Sequence, residues 1–369
     1  MPPKESNDRY LVISLSARAL AGSLSTAGFS VAAIDLYGDQ DLCQIPNLDN
    51  YQKIPIFDTP NLLHAINKIN KKTPCNYLIY GGGIESCPDL LDQLPDAMTL
   101  SGNPSDILNV INHPETFFRL LDQLSIPHPE TIYHPPATTR GWLIKQPNSF
   151  GGAGVSDYNS DQIISSPCYF QRFISGRVCS VVFVANGKEA KVFGYNEIWT
   201  ESNTSFKFSG AMTWPDFPVN LSHDVDRFLQ LLTGHLELVG LCGMDFIIDD
   251  QERIQVIEIN PRPTATFELH DQNHELIQQH IHVCQSADFL SVRKNRLDDI
   301  FARQVYYAEK NLTIDSAIQW PQWTADLPCA GQVIKTNEPV CTIYTHGENS
   351  RDTQKLLRER MALIHTMLV

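Results

Sequence analysis

Residues Gly243–Pro263 read GMDFIIDDQERIQVIEINPRP. Two apolar runs, Gly243–Ile248 and Gln255–Ile259, flank the polar stretch Asp249-Asp250-Gln251-Glu252-Arg253. This spacing predicts two strands joined by a turn. Strand side chains alternate faces, so Glu258 and Asn260 share one, and hairpin pairing can bring Asp245 beside them. Their neighbours Phe246, Ile247, Ile248, Val256, Ile257 and Ile259 are all apolar. Two acids and an amide set among such residues need partners to offset desolvation. Hard oxygen donors on adjacent strands suit Mg²⁺, which takes few protein ligands and shares its shell with phosphates. The plain alternative is a solvated acidic face. Arg262 follows Asn260 by two residues and faces the same site if the strand continues. A guanidinium there can clamp a phosphoryl group or a carboxylate, although a surface salt bridge would need the same residue.

Upstream, the strand expected at Trp142–Gln146 carries Lys145 and runs into Pro147-Asn148-Ser149-Phe150-Gly151-Gly152-Ala153-Gly154-Val155. Glycines let backbone N–H groups approach phosphate oxygens, and a lysine supplies a point charge. The run lacks the GxxxxGK[ST] pattern of a P-loop, and alone a hairpin turn explains it about as well. Next, Gln171-Arg172-Phe173-Ile174 ends a strand that starts at Cys168. A strand leading into a turn offers apolar walls and backbone polar groups, as an adenine ring requires.

The first 105 or so residues alternate strand and helix, with strands at Arg9–Leu15, Phe29–Leu36 and Asn76–Tyr80 and the turn Gly81-Gly82-Gly83 after the last. That order predicts an open parallel sheet. A helix fits His113–Ser125, begun by Pro114, and another fits Asp224–Val239. Further strands are expected at Cys179–Ala185 and Glu189–Tyr195. The division expected is an α/β domain over residues 1–105, a two-lobed domain over 106–318, and a small β-rich segment with a final helix over 319–369.

Composition limits the function. With 369 residues, 42% hydrophobic and 19% charged, the chain has the make-up of a globular protein. A formal net charge of −14 argues against nucleic acid as main partner. No apolar run approaches the roughly 18–20 residues of a membrane span. The polar start MPPKESNDRY lacks a signal-peptide layout, and most of the nine scattered cysteines, without a CxxC pair, read as buried thiols. The expectation is a cytoplasmic protein.

The order of lysine strand, glycine loop, QxFIxG and MDFII…VIEINPR resembles the ATP-grasp superfamily over about residues 106–300. The thirteen-residue spacing from Asp245 to Glu258 matches. More narrowly, SARALAGSLSTAGFSVAAIDLYGDQD, GGGIES, SGNPSD and TADLPCAGQVIKTNEPVCTIYTHG are similar to a family described as ATP-dependent carboligases related to biotin carboxylase. The resemblance implies a pre-ATP-grasp domain, an ATP-grasp core and a C-terminal cap. It also implies ATP with Mg²⁺ or Mn²⁺ as cofactors, and a ligase that activates a small-molecule carboxylate as an acylphosphate for an amine. On that footing Asp245, Glu258 and Asn260 hold metal, and Lys145 and Arg262 serve catalysis. Lys145, Gly151, Gly152, Ala153, Gly154, Val155, Gln171, Arg172, Phe173 and Ile174 bind nucleotide. A homodimer is left open. Relatives occur in organisms that carry one-carbon units on methanopterin-type carriers, which points to cofactor biosynthesis.

Three departures qualify the resemblance. No lysine stands at Asn112-His113-Pro114-Glu115-Thr116, where many such enzymes place a second phosphate ligand. The ribose-binding acid is replaced around Arg177-Val178. Pro263-Thr264-Ala265-Thr266 replaces the Gln-Val-Glu run that handles bicarbonate in biotin carboxylase, which excludes biotin carboxylation. A non-catalytic ATP sensor or assembly protein is therefore the rival reading. A dinucleotide-dependent oxidoreductase is disfavoured because Leu15-Ser16-Ala17-Arg18-Ala19 contains no GxGxxG. His270, His274, His280 and His282 are expected on one helix over FELHDQNHELIQQHIHVC, with His270 and His274 sharing a face. A transition-metal site there is the lesser reading. Lys191 and Asn196 are further candidates for reaching the nucleotide.

Overall fold

The computed structural model describes residues 8–149, 151–159, 167–202, 205–291 and 299–368. The amino-terminal polar stretch up to Asn7 and Phe150 of the glycine run lie outside them. The chain opens with β1 (Arg9–Ile13), β2 (Ser30–Asp35), β3 (Leu48–Lys53), β4 (Tyr77–Tyr80) and β5 (Thr99–Leu100), paired in the order β3-β2-β1-β4-β5 and all parallel. Helices α1 (Arg18–Thr26) and α2 (Thr59–Asn70) cover opposite faces. Alternation sorts the core: Tyr10 and Val12 face α1, whereas Leu11 and Ile13 face α2. The strand order reverses between β1 and β4, so the turn Gly81-Gly82-Gly83 sits at a switch point, on the side where open parallel sheets take ligands. β3 was not anticipated, because LDNYQK is polar and only partly buried at the sheet edge.

Helices α3 (Ser105–Asn112) and α4 (Pro114–Gln123) lead to a small antiparallel sheet. Its strands are β6 (Thr131–Ile132), β7 (Trp142–Lys145), β8 (Val155–Asp157) and β9 (Tyr169–Arg172), in the order β6-β9-β7-β8. A larger antiparallel sheet follows, built on β10 (Gly176–Asn186), β11 (Ala190–Ser202), β12 (Ser205–Thr213), β13 (Val239–Asp249), β14 (Ile254–Asn260) and β15 (Ile300–Tyr307). Toward the carboxyl end, β16 (Leu312–Thr313) and β18 (Val333–Ile334) form a separate pair. β17 (Thr324–Ala325) and β19 (Pro339–Gly347) instead extend the large sheet, whose order is β14-β13-β10-β11-β12-β15-β19-β17. The final helix α7 (Ser350–Leu368) lies against β15 and β19.

One face of the large sheet is dry. Helix α5 (Val219–Leu236) lays Val225, Phe228, Leu229 and Leu232 on Val181, Phe183, Met244 and Phe246, all buried. Burying each such side chain contributes about 1.5–3 kcal/mol, so these strands are fixed in position. The other face divides along its length. Val182, Val184 and Leu241 are covered by α1 and by α6 (Glu275–Ser286). Farther along the same strands the cover ends, and the face opens toward the small sheet as a cleft.

Candidate active site

The cleft has a volume of about 490 Å³. Its floor is a row of polar side chains placed by strand register. Asn196 on β11 pairs with Ser180 on β10, Ser180 with Asp245 on β13, and Asp245 with Glu258 on β14. Residues opposite one another across a sheet share a face, so the register brings Asp245 and Glu258 side by side. A bulge follows at Asp245/Phe246, which restores the apolar partners beyond it to the α5 side. Asn260 joins the two acids on the cleft side, its amide bonded to Glu258.

Desolvation and mutual repulsion dominate the electrostatics here. Burial first, then the Glu258 charge, pushes the Asp245 carboxyl up to about 8. Glu258 is also raised by burial, against the pull of Arg262 and Lys145. Its carboxylate is nevertheless exposed to the cleft, so water there moderates the effect. Burial and repulsion thus disfavour both carboxylates being charged together unless a cation shares them. A hard divalent cation is what such a donor set of two carboxylates and an amide oxygen fits. Among the described residues no third His, Cys, Asp or Glu completes a cluster with them.

Lys145, at the end of β7, comes from the opposite wall. It is buried and donates to Gln171 Oε1 at 2.6 Å, while Gln171 Nε2 donates to Thr131 Oγ1 at 3.0 Å. Burial lowers the Lys145 ammonium to about 8, with Glu258 acting against the shift. Gly151, Gly152 and Val155 line the cleft. The loop is docked across it: Phe208 N–H on β12 donates to Gly151 O at 2.8 Å. A Cβ on Gly152 would lie 1.8 Å from Phe206 O, at φ +76°, so only glycine permits this approach. Ala153 and Gly154 do not line the cleft. Gly154 turns the chain instead, its carbonyl accepting from Gln146 N at 2.9 Å. Gln171, Arg172, Phe173 and Ile174 form the far end, with Phe173 edge-on to Phe206.

Arg262 also reaches the cleft, and here sequence reasoning missed a partner. Its Nε–H donates to Glu85, a buried residue just after the triple-glycine turn. Nη2 donates to Asn260 Oδ1 at 3.1 Å. The adjacent GGG was a signal of a tightly packed turn, because a Cβ on Gly81 would lie 2.6 Å from Ser14 and one on Gly83 2.8 Å from Leu15, and Gly82 between them faces the guanidinium.

Two expectations need correction. The histidine segment is not one helix: a 3₁₀ turn spans Ala265–Leu269, and α6 begins only at Glu275. His274, at φ 57°, sits in the break, so His270 and His274 do not share a helical face. Asp271 accepts from Leu276 N at 2.8 Å, satisfying an open N–H in the first turn of α6, whose N-cap His274 makes no side-chain bond. His270 instead bonds Asn196 Oδ1 at 2.9 Å, and burial holds it neutral, near 4. Lys191 is the second correction. It lies over Phe289 at 4.0 Å and does not line the cleft. It is five residues from Asn196, roughly 15 Å along the strand. Asn196 belongs to the floor row but is fully buried beneath Ser180 and His270.

Comparison with known proteins meets this geometry. Residues 114–266 match the model of the ATP-grasp domain. The chain contains an ATP-grasp domain. In the sequences, the arginine-specific carbamoyl phosphate synthase large chain of Bacillus subtilis (strain 168) is 23% identical over 234 residues, 57% of this chain and 22% of that protein. This chain therefore spans about a fifth of the length of the curated relative that it matches. Among solved structures, the L-amino acid ligase from Bacillus licheniformis superposes with a TM-score of 0.72 at 12% identity, covering 96% of this chain and 97% of that one. The biotin carboxylase domain of Hydrogenobacter thermophilus 2-oxoglutarate carboxylase, solved with MgADP, ADP and bicarbonate, gives 0.74 at 11% identity, covering 95% and 88%. At such identities these likenesses establish the fold: an ATP-grasp core behind an amino-terminal parallel sheet. No described helix is long and apolar enough to cross a membrane.

Proposed function

We propose that the chain is an ATP- and Mg²⁺-dependent ligase of the carboxylate–amine type. The carrying observation is that Asp245 and Glu258 stand in register on one wall, beside Asn260 and Arg262, and share a cleft with Lys145 and the glycine loop. Asp245, Glu258 and Asn260 would hold Mg²⁺ or Mn²⁺, which supplies charge neutralisation at the phosphates during phosphoryl transfer. Lys145 and the backbone of Gly151, Gly152 and Val155 would bind phosphate oxygens, and the Gln171–Ile174 segment the adenine. A substrate carboxylate oxygen attacks the γ-phosphorus of ATP. The bond to the β-phosphate oxygen breaks, and ADP leaves. An amine then attacks the acyl carbon, phosphate departs, and the amine loses a proton. Arg262 would neutralise charge on the transferring group. The loop docked on Phe206 and Phe208 would keep water from the acylphosphate. A carboxylate–amine coupling step in cofactor biosynthesis, tied to one-carbon metabolism, is the place this reading gives it.

ADP release measured over a panel of carboxylates and amines, with and without Mg²⁺, tests the reading. Turnover that needs one acid, one amine and Mg²⁺ supports it; Mg-ATP binding with no turnover on any pair sinks the ligase assignment. One observation favours that second outcome, a nucleotide-binding sensor or assembly protein: the junction of α3 and α4 lines the cleft through Asn112 and Pro114 and brings no lysine.

A further inference from the structure

Arg262 is anchored from a different sheet. Its Nε–H donates to Oε1 of Glu85, 177 residues earlier in the chain, and the two side chains are only 13% and 10% exposed. Nη2 gives one hydrogen to Asn260 Oδ1 at 3.1 Å, and Nη1 gives one to Pro263 O at 3.3 Å. A guanidinium has five N–H groups, so one N–H on each terminal nitrogen is left for a ligand.

Glu85 is itself held from several sides. Its Oε2 accepts from Gly83 N at 2.9 Å, and its carbonyl accepts from Asn112 Nδ2 at 3.1 Å. Gly83 has φ +111°, and a Cβ there would lie 2.8 Å from both Leu15 and Phe57. The triple-glycine turn therefore places the carboxylate, and Gly82 lies against the guanidinium, where a Cβ would make an ordinary 3.7 Å contact. The other anions near that guanidinium are Glu258 and Asp245, both within its electrostatic reach. A guanidinium freed from Glu85 would swing toward them and compete with a cation for the same oxygens. Pairing with Glu85 keeps the positive charge beside the carboxylates without occupying them, and its one hydrogen bond to the donor set goes to Asn260 Oδ1, whose second lone pair stays open.

We propose that Glu85 is a positioning residue for Arg262, holding its guanidinium off Asp245 and Glu258 so that those carboxylates stay open to a divalent cation. The inference rests on the reading of Asp245, Glu258 and Asn260 as the metal site. It assigns to the amino-terminal parallel sheet a part in assembling a site built mainly by the large antiparallel sheet.

Mn²⁺ affinity in the presence of a non-hydrolysable ATP analogue, read by electron paramagnetic resonance on the full chain, provides the test. The Glu85→Ala variant should weaken Mn²⁺ binding about tenfold, the loss expected when roughly 1.4 kcal/mol of competing ion pairing is set free. Adding Arg262→Ala to that variant should restore the affinity, since the competitor is gone. Glu85→Gln, which keeps an oxygen for the Nε–H but no charge, should fall between and serves if the alanine variant does not fold. Wild-type affinity in both single variants overturns the inference. So does a double variant no better than Glu85→Ala, because that is the behaviour of a merely structural residue. A wild-type chain that binds no Mn²⁺ with nucleotide removes the metal-site reading itself, and the inference with it.

Discussion

Lys145 donates to Gln171 Oε1 at 2.6 Å across neighbouring strands, and both side chains are buried. Gln171 is held in turn by Thr131 at 3.0 Å. This fixes the ammonium where β7 runs into the glycine loop, before any ligand arrives. Burial has already lowered it to about 8. A phosphate beside it would raise it again, so binding should draw in a proton near pH 8. Affinity for metal-free ATP should therefore fall as pH rises through 8. Calorimetry in buffers of different ionisation enthalpy should register the uptake. Lys145→Met should abolish it and weaken binding by about 10- to 100-fold, the worth of a charge-assisted hydrogen bond.

Asp245 and Glu258 repel each other across one register position. Above about pH 8, where Asp245 is ionised, Asp245→Asn removes one charge while preserving shape, so the metal-free protein should melt a few degrees higher there. The same change should abolish Mg²⁺-dependent ATP binding. Stability and function then move in opposite directions, as at other sites that store unfavourable charge. Melting curves with EDTA and with Mg-ATP check both halves. A variant that melts lower than wild type in EDTA contradicts the repulsion argument.

Gly152 offers a narrower test of the loop. Gly152→Ala introduces a Cβ at 1.8 Å from the Phe206 carbonyl and strains a positive φ. The loop should be pushed off β12, breaking the Gly151–Phe208 hydrogen bond. The melting temperature should hold, because Gly152 is only partly buried and touches little of the core. Affinity for Mg-ATP should drop about tenfold or more, and a protease should cut the loop faster.

Much of this site was legible because it is local. The spacing within GMDFIIDDQERIQVIEINPRP dictates a hairpin, but the bulge at Asp245/Phe246 is what sets Asp245 opposite Glu258, since the unshifted register would face it with Ile257. Period-2 alternation puts Asn260 on the same face as Glu258. What stayed hidden depends on contacts between distant segments. Glu85 pairs with Arg262 through a turn that only the assembled fold brings near. The histidine segment misled for the opposite reason: its spacing suits a helix, but the chain breaks at His274, and Asp271 before it is tied to Leu276 N and to Ser23. The polar edge strand β3 and the extension of the large sheet by β19 likewise follow from packing rather than from any pattern in their own residues.

His280 lies far from the cleft and bears on stability alone. Its Nδ1 accepts from Leu241 N at 2.8 Å, and its Nε2 faces Ser101 O at 3.2 Å. Both partners suit a neutral ring protonated at Nε2; a second proton would cost the Leu241 bond. Burial accordingly depresses the group to about 4, against an ordinary value of 6.5. Above pH 6.5 the ring is neutral in both folded and unfolded chains, and its native contacts contribute in full. As pH falls from 6.5 toward 4 the unfolded chain takes up a proton that the folded one refuses. Stability should fall across that window by up to about 3 kcal/mol. His280→Gln can still accept from Leu241 but no longer titrates. Denaturant melts at pH 7 and pH 4.5 should therefore differ less for the variant than for wild type. Equal acid losses in the two would place the acid sensitivity at another group.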